Sequence, residues 1–292
     1  MKFSKISLGT VQFGIDYGIS PSNKQVNRKE IINILNYAKQ HNIDLLDTAP
    51  AYGDSELVLG ESNIDNFKIV TKTRHFNQDI LTTQDAEFLS SDFNKSLKLL
   101  KQKSVYGLMI HNADDLLKLG ADNVYNQLKK LKQEGLIAKI GVSIYNGDQL
   151  QKIIDQFDID LVQLPFNILD RRLISSGMLQ KLNNLGVEVH ARSIFLQGLL
   201  LMNKDSRTEQ FNRWDNLWRL WHEWLNDNKI TALEATIRYA ISKSEISKVL
   251  VGVNSTKQLQ EIIQATKGSL PKIPNEIFTE DINLLNPSNW SA

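Results

Sequence analysis

The sequence contains no cysteine among its 292 residues, and this absence removes several kinds of chemistry at once. Disulfide frameworks, thiol nucleophiles and zinc sites built on thiolates all require cysteine. A chain of this length can bury a sizeable hydrophobic core without such cross-links. Any catalytic site must therefore be built from other side chains.

An excess of charge and long apolar runs are also missing. Lys and Arg number 34 against 33 Asp and Glu, which leaves a formal net charge of +1. This balance provides no electrostatic attraction to nucleic acid or to an acidic membrane surface. No stretch approaches the roughly 20 apolar residues that cross a bilayer, and the first residues, MKFSKISLGT, lack the apolar core of a secretory signal. We therefore predict a cytoplasmic protein that binds neither nucleic acid nor membranes.

Short apolar segments alternate with amphipathic helical patterns along the chain. Eight strands are predicted at Ile6–Leu8, Ile43–Leu46, Lys68–Thr71, Tyr106–Ile110, Ala138–Val142, Asp160–Leu164, Val187–Ala191 and Lys248–Val251. Nearly continuous apolar strands are typical of parallel sheets covered on both faces. Helices are predicted at Glu30–Gln40, Val124–Gln133, Gln149–Phe157 and Ala232–Ile241. On the first of these helices we expect Ile31, Ile32, Leu35 and Ala38 to form the buried face.

The eightfold alternation of strand and helix favours a (β/α)8 TIM barrel over an open doubly wound sheet. The GxGxxG fingerprint of dinucleotide-binding sheets is missing, since the early glycines read LGTVQFGIDYG. No linker rich in Pro, Gly or Ser interrupts the pattern, so residues 1–292 are predicted to form a single domain. The segment at about 201–229 is too long for a plain loop. We expect it to add a loop and a short helix on the C-terminal face, where such barrels place their active sites.

Polar side chains follow the second, third and fourth predicted strands: Asp47 and Tyr52, then Lys72, then His111. In a barrel these residues would converge on one rim. Tyrosine alone is a poor acid at neutral pH, but a neighbouring Lys72 ammonium would lower the pKa of its phenol. Asp47 could pair with Lys72, and His111 could hydrogen-bond a substrate carbonyl. A tuned phenol facing a polarised carbonyl is a proton donor matched to hydride delivery at carbon.

This constellation resembles the aldo-keto reductases, a family of (β/α)8 enzymes that use nicotinamide cofactors. The segment DTAPAYG is similar to the family's D-x-A-x-x-Y-G pattern, GVSIYN to its G-V-S-N-F segment, and SIFLQGLL to its S-P-L-x-x-G-L-L. VQLPFNILDRR and VLVGVNSTKQLQEI resemble the segments at the sixth and last strands. The resemblance implies reduction of an aldehyde or ketone, with Asp47, Tyr52, Lys72 and His111 as the catalytic residues.

The resemblance also implies a cofactor site. Ser143 and Gln163 would bind the nicotinamide carboxamide, Gly252 to Ser255 would lie near the phosphates and the adenosine ribose, and Glu261 would reach the adenine. The residues implied to bind the cofactor are Gly9, Thr10, Asp47, Ser143, Gln163, Arg192, Ser193, Gly252, Asn254, Gln258 and Glu261. No metal is implied.

Several positions depart from the family pattern. Ile144 replaces an Asn, with Asn146 close by, and Arg192 replaces an aromatic residue that stacks on the nicotinamide. Arg192 is left with two readings, as a stacking residue or as a contact to an anionic substrate that Arg74 would share if it also faced the site. Many members place cations near the 2′-phosphate of NADP. Asn254 and Gln258 hold those positions here, with Lys257 adjacent, so the resemblance implies NADP with NAD possible.

The opening LGTVQFG is similar to that of bacterial members linked to carbohydrate metabolism, which suggests a sugar-derived carbonyl substrate. Two other functions stay open: a barrel aldolase that forms a Schiff base on Lys72, and a non-catalytic barrel that senses the cofactor, with the Trp-rich segment 213–225 as its contact surface. The near-helical spacing of Trp214, Trp218, Trp221 and Trp224 is more typical of core or lid packing. The sequence carries no signal for oligomeric state or for the favoured direction of reaction.

Overall fold

The eight apolar segments form the strands of a closed parallel barrel in the computed structural model, which describes residues 4–18 and 24–290. Strands adjacent in sequence are adjacent in the barrel, and β8 pairs with β1 to close it. The strands are β1 Ile6–Gly9, β2 Leu45–Asp47, β3 Lys68–Lys72, β4 Val105–Ile110, β5 Ile137–Ser143, β6 Leu161–Pro165, β7 Glu188–Arg192 and β8 Lys248–Gly252. Their bounds lie within two residues of the predicted ones. The predicted (β/α)8 barrel is confirmed.

Helices connect the strands and cover the outside of the barrel. They are α1 Val11–Gly14, α2 Arg28–Gln40, α3 Ser55–Gly60, α4 Thr83–Leu100, α5 Ala121–Gln133, α6 Gly147–Ile154, α7 Arg172–Ser175, α8 Met178–Asn184, α9 Asp215–Asp227, α10 Ala232–Ser242, α11 Thr256–Ala265 and α12 Ile282–Leu285. Capping boxes fix the starts of α4 and α10. In α10, Thr231 accepts from the Glu234 amide while the Glu234 carboxylate accepts from the Thr231 amide.

The buried face of α2 differs from the prediction at one position. Ile31, Ile34, Leu35 and Ala38 are buried, whereas Ile32 is 49% exposed. The buried set follows the spacing i, i+3, i+4 and i+7, which is the core-facing stripe of an α-helix. Ile32 lies one residue off that stripe, so its predicted burial was wrong.

The long segment between β7 and α10 consists of short 3₁₀ turns followed by α9. Within α9, Trp218 and Trp221 are almost fully buried. Their indole N–H groups donate to the carbonyl oxygens of Phe211 at 3.0 Å and Leu200 at 3.3 Å. Buried indoles with satisfied donors are packing residues. The predicted packing role of these tryptophans is confirmed.

The floor of the barrel interior is polar rather than apolar. At the N-terminal end of β7, Glu188 accepts hydrogen bonds from the Tyr106 hydroxyl at 2.6 Å, from His190 Nε2 at 2.7 Å and from Lys139. Burial alone would raise the pKa of Glu188, but these bonds to His190, Lys139 and Tyr106 hold it well below its ordinary value. Glu188 is therefore ionised and joins three side chains of the barrel floor through hydrogen bonds.

Across residues 4–18 and 24–290, no helix combines the length and the apolarity that crossing a lipid bilayer would require.

Replacing Glu188 with alanine should destabilise the barrel by roughly 2–4 kcal/mol, because Lys139 and His190 would lose their acceptor in a desolvated interior. Urea unfolding followed by circular dichroism measures the change. The control is Glu223→Ala, which removes an exposed pair with Arg219 on α9 and should cost about 0.5 kcal/mol or less. Equal losses in the two variants would contradict the role of Glu188.

Candidate active site

The C-terminal rim of the barrel holds a buried ion pair. Asp47 ends β2 and Lys72 ends β3, and the carboxyl ends of neighbouring parallel strands meet at the same rim. Lys72 Nζ donates to Asp47 Oδ1 at 2.6 Å and to the Thr48 carbonyl oxygen at 3.0 Å. The two charged side chains are 1% and 5% exposed. The pairing predicted from the sequence is therefore present, away from water.

Asp47 is held on both of its carboxylate oxygens. Gln163 Nε2, from the end of β6, donates to Asp47 Oδ2 at 2.7 Å, opposite the Lys72 contact. Burial disfavours the Lys72 ammonium, but the Asp47 carboxylate and the Tyr52 phenol outweigh this effect, so the pKa of Lys72 is raised. Lys72 therefore stays charged at neutral pH.

Tyr52 and His111 lie beside this ion pair. Lys72 Nζ is 4.9 Å from the centre of the Tyr52 ring, and the His111 ring meets Tyr52 edge-on, with 6.0 Å between ring centres. Burial, together with the positive charges of Lys72, His75 and Arg192, lowers the pKa of His111 to about 3. His111 is therefore neutral at physiological pH. Its Nδ1 is buried and has no partner in the described part of the chain, so part of its hydrogen-bonding capacity is unused.

Two glycines fix the turn that carries Tyr52. Gly53 has a φ of +55°, which side-chain-bearing residues rarely adopt. A Cβ atom on Gly14, the last residue of α1, would lie 1.7 Å from the Tyr52 carbonyl oxygen. The backbone of α1 thus packs directly against the turn. The sequence motifs contain both glycines, but nothing in them shows that Gly14 touches Tyr52.

A cluster of buried hydroxyls ties the ends of β1 and β2 to α3. Thr10 Oγ1 donates to the Asp47 carbonyl oxygen at 2.9 Å and lies 2.8 Å from Ser55 Oγ. Thr48 Oγ1 donates to the same Ser55 oxygen at 3.1 Å. The Thr10 side chain is therefore already partnered within the protein.

One cavity of about 720 Å³ opens at this rim and gathers the predicted site. Every residue that the resemblance implies for cofactor binding lines it: Gly9, Thr10, Asp47, Ser143, Gln163, Arg192, Ser193, Gly252, Asn254, Gln258 and Glu261. Tyr52 and His111 line it as well. Lys72 does not line the cavity. It is buried behind the wall and contacts Asp47 and Tyr52, which do line it.

Sequence reasoning missed two aromatic residues of the cavity wall. Tyr17 and Tyr145 are 40% and 43% exposed and line the cavity. The Arg192 guanidinium lies 4.8 Å from the centre of the Tyr145 ring, and Arg192 Nη2 donates to the Ile144 carbonyl oxygen at 3.0 Å. The only available signal was position, because each tyrosine sits within a few residues of a rim-forming segment.

The loop that follows β7 has an unusual backbone. Ser193 and Gln197 both line the cavity, with φ angles of +58° and +53°. Residues other than glycine adopt this region at a cost, and such strain concentrates at functional sites. The loop therefore joins two strained residues to the wall of the candidate site.

Two alternatives raised by the sequence do not reach the cavity. Arg74 pairs with Asp92 on α4 and is absent from the cavity wall, so it does not join Arg192 there. Asn146 accepts from the Gln149 amide at 2.8 Å as the N-cap of α6. Asn146 therefore caps the helix and does not take the place of the family's Asn, which is Ile144 in this chain. Within residues 4–18 and 24–290, no group of three or more His, Asp or Glu side chains could hold a metal ion.

Comparison with known proteins identifies relatives along nearly the whole chain. The sequence profile of the Aldo/keto reductase family matches residues 5–279. The uncharacterized oxidoreductase YqkF of Bacillus subtilis is 24% identical over 281 residues, which covers 89% of this chain and 90% of that protein. The NADH-specific methylglyoxal reductase of Escherichia coli is 24% identical over 304 residues, covering 90% and 89% of the two chains.

Solved structures share the fold. A putative aldo-keto reductase from Pseudomonas aeruginosa superposes with a TM-score of 0.67 at 21% identity, covering 91% of this chain and 90% of that one. The glycerol dehydrogenase of Gluconobacter oxydans gives a TM-score of 0.72 at 20% identity, covering 93% and 89% of the two chains.

Replacing Gly14 with alanine should lower the turnover number of a reaction at Tyr52 by roughly tenfold or more. The added Cβ displaces the Tyr52 turn, and small misplacements of a reacting group lower the rate strongly. Circular dichroism should show a folded barrel. The control is Gly147→Ala, where the new Cβ would meet only the end of the flexible Leu173 side chain at 3.4 Å. Unchanged turnover in a folded Gly14→Ala variant would show that Gly14 does not position the turn.

Proposed function

We propose that this chain, which belongs to the aldo/keto reductase family, reduces an aldehyde or ketone to the alcohol with Tyr52 as the proton donor. The observation that carries the proposal is the buried Asp47–Lys72 pair, 2.6 Å between charged atoms, set behind the Tyr52 ring at the wall of the cavity. This arrangement places a permanent positive charge next to a phenol. It does so where a carbonyl compound can reach the phenol from the cavity.

The cavity suits a nicotinamide dinucleotide. Gly9 and Gly252 are paired on neighbouring strands and bring bare backbone to the wall. A Cβ on Gly252 would lie 2.3 Å from the Gln12 side-chain amide, whose Oε1 is buried with no partner in the described residues. Ser143 would hold the carboxamide together with the side-chain oxygen of Gln163, whose Nε2 already donates to Asp47. A coenzyme held there would provide hydride chemistry at the carbonyl carbon.

Tyr52 donates its proton to the carbonyl oxygen as the carbon becomes tetrahedral, so one hydride and one proton convert the carbonyl to an alcohol. The Lys72 ammonium stabilises the phenolate that Tyr52 becomes. Asp47 keeps Lys72 charged and in place. Neutral His111 donates a hydrogen bond to the substrate oxygen, which orients the carbonyl without adding a second cation beside Lys72.

The substrate we propose is a small hydroxylated carbonyl compound of the sugar-derived kind. Tyr17 and Tyr145 line the cavity with about two fifths of their surface exposed, and aromatic rings pack against the C–H surfaces of sugars. Leu201, Met202 and Ser206 also line the cavity, so we assign the segment 201–229 to the substrate-side wall of a single domain spanning residues 1–292. Relatives are named for L-glyceraldehyde 3-phosphate and L-galactose.

Membership of the family indicates a nicotinamide coenzyme but does not decide between NAD and NADP. The resemblance favours NADP with NAD as the alternative, and the Escherichia coli relative is by its name NADH-specific. The residues at the β8–α11 turn decide between the two. Cytoplasmic location stays a prediction from the sequence.

The geometry opposes the aldolase alternative. A Schiff base requires a neutral amine that can attack a carbonyl. The Lys72 ammonium has a raised pKa, is 1% exposed and is bonded to Asp47 Oδ1. It lacks both the lone pair and the access that imine formation needs.

Replacing Tyr52 with phenylalanine should lower the rate of carbonyl reduction by about 100-fold or more, because the proton donor is lost. The dissociation constant for the coenzyme should change by no more than about twofold, since the ring remains. Stopped-flow absorbance follows the reduced coenzyme, and a fluorescence titration gives the binding constant. Tyr37→Phe on α2, away from the cavity, is the matched control. Near-normal turnover in Tyr52→Phe would remove Tyr52 from the reaction.

A further inference from the structure

We propose that the cavity selects NADH over NADPH and that Glu30 sets this preference; the inference rests on the coenzyme-dependent reaction proposed above. Glu30 belongs to α2, far in sequence from the residues implied to bind the cofactor. Its side chain nevertheless meets the β8–α11 turn, which forms one end of the cavity.

Glu30 occupies the amino-terminal end of α11. Its Oε1 accepts a hydrogen bond from the Thr256 amide at 2.5 Å, and Thr256 is the first residue of that helix. Free amides at a helix start, together with the helix dipole, form a natural site for a phosphate. Here a carboxylate of the protein itself fills that place. The Thr256 amide lowers the pKa of Glu30, so the carboxylate is charged at neutral pH.

Two neighbouring amides, those of Asn254 and Gln258, are also satisfied within the chain. The Asn254 amide donates to Gln258 Oε1 at 2.7 Å, and the Gln258 amide donates to Ser255 Oγ at 3.2 Å. A 2′-phosphate carries close to two negative charges and needs several donors. To bind at this turn it would have to displace contacts that the protein already makes.

The charges around the turn are unfavourable for a second anion. Glu261 lines this end of the cavity. Of the described residues in the cavity wall, the one cation is Arg192, whose guanidinium faces the β5 loop at Ile144. Lys257 lies outside the wall, 82% exposed and 4.0 Å from Glu261. Glu30 also lies outside the wall, where it holds the Thr256 amide, so the turn has one carboxylate in the wall, a second behind it and the exposed Lys257 ammonium beside Glu261.

A ribose 2′-hydroxyl fits where a 2′-phosphate does not. The hydroxyl is uncharged and can donate to a carboxylate, and an acidic residue at the ribose is the recurrent device by which proteins select NAD. A phosphate bound at this turn would be repelled by the Glu30 carboxylate, which the Thr256 amide holds at the start of α11. Glu30 is thus a specificity-determining residue that acts through charge and through its hold on the α11 amide.

The test compares the dissociation constants of NADH and NADPH for the full chain, measured by coenzyme fluorescence. The wild-type protein should bind NADH at least about tenfold more tightly than NADPH, the size of effect expected for one close like-charge contact in partly solvated surroundings. Glu30→Gln keeps an oxygen for the Thr256 amide but removes the charge. It should tighten NADPH binding about five- to tenfold and leave NADH binding within about twofold. Glu223→Gln on the exposed face of α9 controls for net charge and should change neither value.

Two further measurements isolate the 2′-phosphate from the nicotinamide. Competition against bound NADH should show that 5′-AMP binds more tightly than adenosine 2′,5′-bisphosphate. Raising the salt concentration should narrow the difference between the dissociation constants of NADPH and NADH, because screening weakens the repulsion of the 2′-phosphate. In a site built on cations, salt would weaken NADPH binding and raise its dissociation constant relative to that of NADH.

Two results would overturn the assignment of Glu30 while leaving the proposed reaction in place. One is that the wild-type protein binds NADPH as tightly as NADH. The other is that the ratio of the NADPH and NADH dissociation constants is the same in Glu30→Gln as in Glu223→Gln. Failure of both coenzymes to bind the folded wild-type chain would overturn the proposed reaction together with this inference.

Discussion

The ion pair between Asp47 and Lys72 is the constraint on which the proposed chemistry of this barrel depends. Two charges buried at the ends of neighbouring strands are costly unless each is fully partnered. Asp47 meets this requirement with Lys72 on one oxygen and Gln163 on the other, and Lys72 adds the Thr48 carbonyl. The result is a lysine that stays cationic in a dry wall. Its charge lies beside the Tyr52 ring, and without a lone pair it cannot act as a nucleophile.

The surroundings of the pair explain how Tyr52 is held beside it. Gly14 and Gly53 allow α1 to touch the turn that carries the phenol, and the hydroxyls of Thr10 and Ser55 tie the same region to β1 and α3. His111 adds a neutral hydrogen-bonding ring, because burial and the nearby Lys72 charge both disfavour its protonated form. The Lys72 charge beside the phenol is paired with Asp47, whereas Glu30 and Glu261 place carboxylates at the β8–α11 turn.

Much of this could be predicted from the sequence, because parallel strands end at one rim. Residues that follow successive apolar runs, such as Lys72 and His111, must then be neighbours whatever their separation in sequence. Contacts made by helices were harder to foresee. Glu30 and Thr256 are 226 residues apart, and no periodicity links them. Ile32 was misplaced because four apolar residues, Ile31, Ile32, Ile34 and Leu35, lie within five positions of α2, and only three of them face the core. Arg74 follows β3 closely but turns outward to Asp92.

A double-mutant cycle on the ion pair tests the central claim most directly, with kcat/KM for carbonyl reduction measured for Asp47→Asn, Lys72→Met and the double variant. If the pair acts on Tyr52 as one unit, each single substitution should lower kcat/KM by about 100-fold or more. The kcat/KM of the double variant should then be no lower than that of the less active single variant. Losses that multiply in the double variant would show that the two residues act independently, and would contradict the dependence of Tyr52 on the intact pair.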